Sequence, residues 1–395
     1  MPAPGLSHIA GAGAMDPSLG PRLDAAAAAL CAARSPALRA GILASDESTP
    51  TLGRRLTAAG LPNDAPTRAA WRECMYGAEL GVNGISGAIV FEEALEQKTH
   101  GGQPLLRLLT DQGVAVGVKA DQGLAPLDGG AEGETRTKGL PRLARGAAKE
   151  WAAAGASFAK WRAALRVPPS PEAVRVNVEE LARYAAACQA AGLVPVVEPE
   201  LLIDGAHDAE TAASALRTLL KALFAALKAH GVRTSGVLLK IMPAVPGADA
   251  DPTTPRPSDA ALATLTIDSL AATVPADVPG VMLLSGGLGE EGATRVLNAC
   301  AAEAASRSCP WAVSYSFGRA LQASCMAAWA AGRREGEEAE AAALPAARAA
   351  LEAAASANSA AAAGAFAGEH PAANGEARDL REGFRGFRDD AASKE

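Results

Sequence analysis

Eight short aliphatic runs punctuate the middle of the chain, at 41–46, 85–91, 115–120, 158–165, 193–199, 236–241, 281–287 and 312–318. Their length and their Val, Ile and Leu content predict strands buried on both faces. Between them lie amphipathic stretches with helical periodicity, such as 171–191, 208–230 and 258–273. Gly113, Gly155, Gly192, Gly231 and Gly332 follow such stretches, where a helix-ending glycine is expected. Strand and helix alternate eight times at spacings of roughly 30–45 residues, the pattern of a parallel sheet. Eight such units predict a closed (β/α)₈ TIM barrel rather than an open doubly wound sheet, and no fixed-period repeat points to a solenoid.

The pattern divides the chain into three parts. Residues 1–20 are rich in Pro, Gly and Ala and read as a flexible extension, with Met15 a plausible start of the structured part. Residues 21–334 form the barrel. Residues 335–395 comprise an alanine-rich helical segment, to about 364, and a mobile polar tail from about 369. The first segment has neither the basic-then-apolar layout of a secretory signal nor the Arg/Ser richness of a transit peptide. This points to the cytoplasm, with a plastid stroma as the alternative.

Composition narrows the function. Hydrophobic residues make up 49% of the 395, enough for a large core, and no apolar run is long enough to span a bilayer. A net charge of −7 and a pI near 5.5 argue against nucleic acid or a membrane as main partner. The six cysteines include no Cys-x-x-Cys pair, which fits free thiols in a reducing compartment. The five histidines include no close pair, and Asp204, His207 and Asp208 read as loop and helix-cap residues rather than metal ligands.

The chemistry lies at the strand ends, where (β/α)₈ barrels build their sites. Those ends carry Asp46, Lys119, Lys160 with Arg162, Glu198 with Glu200, Lys240, Ser285 and Arg319. Side chains alternate along a strand, so Lys160 and Arg162 share a face, as do Glu198 and Glu200. Helices leave such strands no solvent face, so these charges are expected at the barrel mouth. Lys240 closes the run Gly236-Val237-Leu238-Leu239-Lys240-Ile241-Met242, whose aliphatic neighbours offer no counter-ion. Alone, it could be a strand-end lysine reaching to water. Lowering a lysine amine from ~10.4 to ~8 by desolvation costs roughly 3 kcal/mol, a strain kept mainly where the neutral amine is used. Lys240 is therefore the candidate nucleophile toward a ketone, with Glu198, Glu200 and Asp46 as proton carriers. Lys160 is a second amine that stays charged and depresses Lys240 by like-charge repulsion.

Ser285-Gly286-Gly287-Leu288-Gly289-Glu290-Glu291-Gly292 has two readings. Gly287, Gly289 and Gly292 match the dinucleotide fingerprint, which would make an NAD-dependent oxidoreductase. The stretch follows the seventh run, however, and the eighth ends in Arg319. A phosphate cradle of backbone N–H groups facing Arg319 is the better reading. Ser48, Thr51, Arg55, Lys119 and Arg162 suggest a second anion site, hence a substrate with two phosphates.

These residues lie in motifs that closely resemble the class I, Schiff-base fructose-1,6-bisphosphate aldolases. The motifs are Gly41-Ile42-Leu43-Ala44-Ser45-Asp46-Glu47-Ser48-Thr49, Gly117-Val118-Lys119-Ala120-Asp121, Phe158-Ala159-Lys160-Trp161-Arg162, Val194-Pro195-Val196-Val197-Glu198-Pro199-Glu200, Leu238-Leu239-Lys240, Leu284-Ser285-Gly286-Gly287 and Ser316-Phe317-Gly318-Arg319-Ala320-Leu321-Gln322. The resemblance implies Lys240 as the imine-forming lysine and Glu198 as the main acid/base, assisted by Asp46, Lys160 and Glu200. It implies Ser285, Gly286, Gly318 and Arg319 at the ketone-side phosphate, and Ser48, Thr51, Arg55, Lys119 and Arg162 toward the other. It further implies a phosphorylated-sugar substrate, no metal, no cofactor and a homotetramer.

Three positions depart from the family pattern. Ile241 stands where proline usually follows the imine lysine, and Thr51 where serine is common. Many members end in a tyrosine that assists proton exchange, whereas this chain closes Ala391-Ala392-Ser393-Lys394-Glu395 and has only Tyr76, Tyr184 and Tyr315. A non-catalytic scaffold of aldolase ancestry is the remaining alternative to an enzyme.

Overall fold

In the structure, a computed structural model that describes Asp16 and residues 18–372, the eight aliphatic runs become eight parallel strands closed into one barrel in chain order. They are β1 (Gly41–Ser45), β2 (Ile85–Val90), β3 (Ala115–Lys119), β4 (Phe158–Leu165), β5 (Val194–Leu201), β6 (Leu238–Ile241), β7 (Gly280–Leu283) and β8 (Ala312–Phe317). Most ends agree with the sequence pattern to within one residue, and three strands differ by more. β5 continues to Leu201, because Glu200 turns inward and the chain stays paired with Leu165. β6 is preceded by the single 3₁₀ turn Thr234–Gly236. β7 stops at Leu283, since Gly286 and Gly287 take φ of +46° and +99°, which no strand accommodates.

One end of the barrel is plugged. Helix α1 (Leu19–Leu30) carries Leu23, Ala27 and Leu30 on one stripe, which packs against Ile42, Ile89, Phe158, Val194, Val196, Leu238 and Met282. Each buried leucine is worth ~2 kcal/mol in removal from water, so this end is closed by core and chemistry is confined to the other. Because α1 already begins at Leu19, the expected 1–20 extension falls mainly outside the described residues. The expected polar tail does so from 373 onward.

Around the barrel run, among others, α2 (Thr49–Ala58), α3 (Ala65–Tyr76), α4 (Pro171–Ala190), α5 (Ala209–Ala229), α6 (Asp259–Ala271), α7 (Gly289–Ser306), α8 (Arg319–Glu335) and α9 (Glu337–Ala361). Asp208 caps α5 by accepting the Thr211 N–H at 2.7 Å, the cap role read from the sequence. Gly332 does not end a helix. It lies inside α8, where a Cβ would stand 2.5 Å from Ala343 Cβ and 2.6 Å from Ala339 O. It is a close-approach glycine that lets α9 pack on α8, and Gly336, at φ +113°, makes the break instead. Among the described residues no helix is long and apolar enough to cross a membrane.

Candidate active site

The charged strand ends converge at the open mouth because their registers align. Leu239 of β6 lies level with Val197 of β5, which brings Lys240 level with Glu198. Lys240 Nζ stands 2.9 Å from Glu198 Oε1, so the lysine does have a counter-ion, contrary to the expectation from its aliphatic flanks. The reason is alternation: Leu239 and Ile241 face the helices while Lys240 faces inward, where its neighbours come from another strand. Between β4 and β5 the charged partners are instead offset. Lys160 is level with Val196 but pairs with Glu198, and Arg162 is level with Glu198 but pairs with Glu200, a two-residue stagger that follows from strand tilt. Between the inward pair Lys160 and Arg162, Trp161 points outward and stacks on Tyr184 of α4 at 5.5 Å.

Lys160 is the hub. Its Nζ lies 2.7 Å from Asp46 Oδ2, 3.0 Å from Glu198 Oε2 and 3.9 Å from Asp121 Oδ2, and its side chain is only 4% exposed. Burial works against its charge, but Asp46, Glu198 and Asp121 together hold the ammonium well above the usual lysine range. The carboxylates respond in the opposite sense. Burial acts to raise Asp46, yet Lys160, Lys240 and Lys119 outweigh it and hold the group at about 2. Burial likewise opposes ionisation of Glu198, and Lys160, Lys240 and Arg162 bring it below the ordinary glutamate value. Asp121 is lowered by Lys119 and Lys160 against the same burial.

Asp121 has no role assigned by its sequence motif, yet it bonds Lys119 and faces Lys160. Its position two residues after Lys119, on the same face of the extended chain, is the signal that marks it. Glu200 serves Arg162, whose guanidinium burial would disfavour and Glu200 keeps charged.

The anion-binding candidates fall into several places. Ser285 lies in the loop after β7, next to Gly286, where a Cβ would sit 2.1 Å from the sulfur of Met242. The residue two after Lys240 therefore shapes the turn that presents the loop. Gly318 precedes α8 and Arg319 opens it. Burial pushes the Arg319 guanidinium down to about 10, Arg55 and Arg162 add to that push, and Glu200 and Glu47 oppose it. Three guanidiniums facing two carboxylates leave a positive field at a helix N-terminus, suited to a phosphate. Ser48 and Thr51 hydroxyls lie 3.0 Å apart at the start of α2. Arg55 bonds Glu47 and Gln322, whereas Lys119 bonds Asp121, so these two cations rest on different carboxylates. The three tyrosines are all fully buried: Tyr76 contacts Ser45 Oγ at 2.9 Å, and Tyr184 and Tyr315 donate to the carbonyls of Val196 and Ala355. Among the described residues, no group of three or more His, Cys, Asp or Glu side chains is arranged to hold a metal.

The chain that builds this barrel and its charged mouth is similar to known proteins. The family model for fructose-bisphosphate aldolase class-I matches residues 27–382. The chain belongs to that family. It is 44% identical over 293 residues to the cytosolic fructose-bisphosphate aldolase 5 of Arabidopsis thaliana, covering 73% of this chain and 80% of that one. Identity to the non-muscle fructose-bisphosphate aldolase of Lethenteron camtschaticum is also 44%, over 294 residues, covering 73% of this chain and 79% of the relative. Among solved structures, the fructose-bisphosphate aldolase of Plasmodium falciparum, crystallised with TRAP and a small-molecule inhibitor, superposes with a TM-score of 0.82 at 36% identity, covering 90% of this chain and 98% of that one. This class-I aldolase is thus an enzyme of the aldehyde-lyase type on a TIM barrel.

Proposed function

We propose that the chain catalyses reversible aldol cleavage of fructose 1,6-bisphosphate to dihydroxyacetone phosphate and glyceraldehyde 3-phosphate through a Schiff base on Lys240. The observation that carries this reading is Glu198, one buried carboxylate set between Lys240 and Lys160. Glu198, held ionised, takes a proton from the Lys240 ammonium at 2.9 Å and frees the amine to attack the C2 ketone. The proton on Glu198 then goes to the carbinolamine hydroxyl, which leaves as water, and the imine forms. Glu198 or Asp46 accepts the C4 hydroxyl proton as the C3–C4 bond breaks, and the bonding pair moves into the imine as an enamine. Lys160⁺ stabilises the negative charge passing over these carboxylates, and Glu200 holds Arg162 at the mouth.

Ser285, Gly286, Gly318 and Arg319 hold the ketone-side phosphate, and Ser48, Thr51, Arg55, Lys119 and Arg162 lie toward the other. The reading places the enzyme in glycolysis and gluconeogenesis, or in a Calvin-type cycle. A cytoplasmic setting is favoured by relatives named cytosolic. A coupled cleavage assay on fructose 1,6-bisphosphate with and without EDTA tests the reaction. Equal rates are expected, and complete inhibition by the chelator would refute a lysine-based mechanism.

A further inference from the structure

Gln322 lies on α8 one turn beyond Arg319 and is only 1% exposed, so it presents almost nothing to solvent. Its side chain nevertheless joins two parts of the site. Nε2 donates to the Ala44 carbonyl at 2.7 Å, on β1 two residues before Asp46. Oε1 accepts from Arg55 Nη1 at 2.8 Å, and the same Nη1 meets Glu47 Oε1 at 2.5 Å. Arg55 comes from α2, and its long flexible side chain would otherwise sample many rotamers. Fixed from both sides, its charge stands close enough to Arg319 to depress that guanidinium.

We infer that Gln322 is a positioning residue: it holds Arg55 at the first turn of α8 and ties it to the strand that presents Asp46. This rests on the reading of Arg55 as a phosphate ligand. Only an amide of this length supplies the donor for Ala44 and the acceptor for Arg55 at once. Glu47 alone would leave Arg55 paired but free to swing with the loop after β1. The effect of Gln322 is therefore on substrate binding and not on the imine chemistry.

The test is a double-mutant cycle on the full-length enzyme, read as KM and kcat for fructose 1,6-bisphosphate and as the inhibition constant of inorganic phosphate. Gln322→Met should raise KM and the phosphate constant about tenfold, with kcat within twofold, the size of one hydrogen bond to a charged group. In an Arg55→Ala background the same substitution should add nothing. If the thioether variant does not fold by thermal melting, Gln322→Glu is isosteric. Its carboxylate neutralises Arg55 and should raise KM by the same factor. An equal additional rise in the Arg55→Ala background, or a fall in kcat with KM unchanged, overturns the inference while leaving the phosphate reading intact. No change of KM in Arg55→Ala itself overturns both. Borohydride trapping with dihydroxyacetone, which has no phosphate, should be unchanged in Gln322→Met; its loss would show a structural role and overturn the inference.

Discussion

Glu198 Oε1 lies 2.9 Å from Lys240 Nζ, while the other oxygen of the same carboxylate faces Lys160 Nζ at 3.0 Å. One buried acid thus contacts both amines, so in the proposed mechanism removing its charge affects imine formation and proton return together. Glu198→Gln keeps the shape but cannot carry a proton. Steady-state kinetics should show kcat lower by roughly 10²-fold or more, with KM changed far less because the proposed phosphate ligands are other residues. A kcat within a few-fold of the unmodified enzyme would move the acid/base role to Asp46 or Glu200.

The ionic cluster makes a specific pH signature. Asp46 is held at about 2, below its unfolded value, so the stabilisation is present above pH ~4 and is lost as pH falls through the folded value. Lys160 has the opposite sign: its raised value gives stability that is present below the ordinary lysine pKa and lost as pH rises through the folded value. Asp46→Asn should cost about 2 kcal/mol at pH 7, and urea denaturation should show the gap narrowing to about half by pH 3. A gap independent of pH would mean that the ion pair contributes nothing through its charge.

Much of this site was legible from the strand ends, because inward charges in helix-covered strands can only point to the mouth. Lys160, Arg162, Glu198 and Glu200 fall on one face, as alternation requires. What could not be read was register. Nothing in the run around Lys240 announces that Glu198 of β5 stands level with it, and its supposed isolation from a counter-ion was wrong for that reason. Gln322 and Glu47 were hidden likewise, since their partner Arg55 comes from another element. Gly332 looked like a helix stop because a glycine after alanines reads that way. Its purpose is the approach of Ala339 and Ala343, from a helix that periodicity alone cannot place.

The two anion regions predict a split between substrates. Arg319→Ala should raise KM for fructose 1,6-bisphosphate and fructose 1-phosphate alike, because both carry the phosphate that the proposed mechanism assigns to Arg319. Lys119→Ala should penalise the bisphosphate by roughly tenfold more than the monophosphate, which has nothing at the far end. Equal losses for both substrates in both variants would show that the two ends are misassigned.

The central claim is that Lys240 is the amine that reacts, and the most direct measurement is reductive trapping. Incubation with dihydroxyacetone phosphate and borohydride, followed by peptide mass mapping, should place a secondary amine on Lys240. Lys160 is locked as an ammonium between Asp46 and Glu198 and has no free pair to offer a ketone. Lys240→Met should abolish trapping, whereas Lys160→Met should slow catalysis yet leave an adduct on Lys240. An adduct mapped to Lys160 in the unmodified enzyme, or trapping that survives Lys240→Met, would contradict the account.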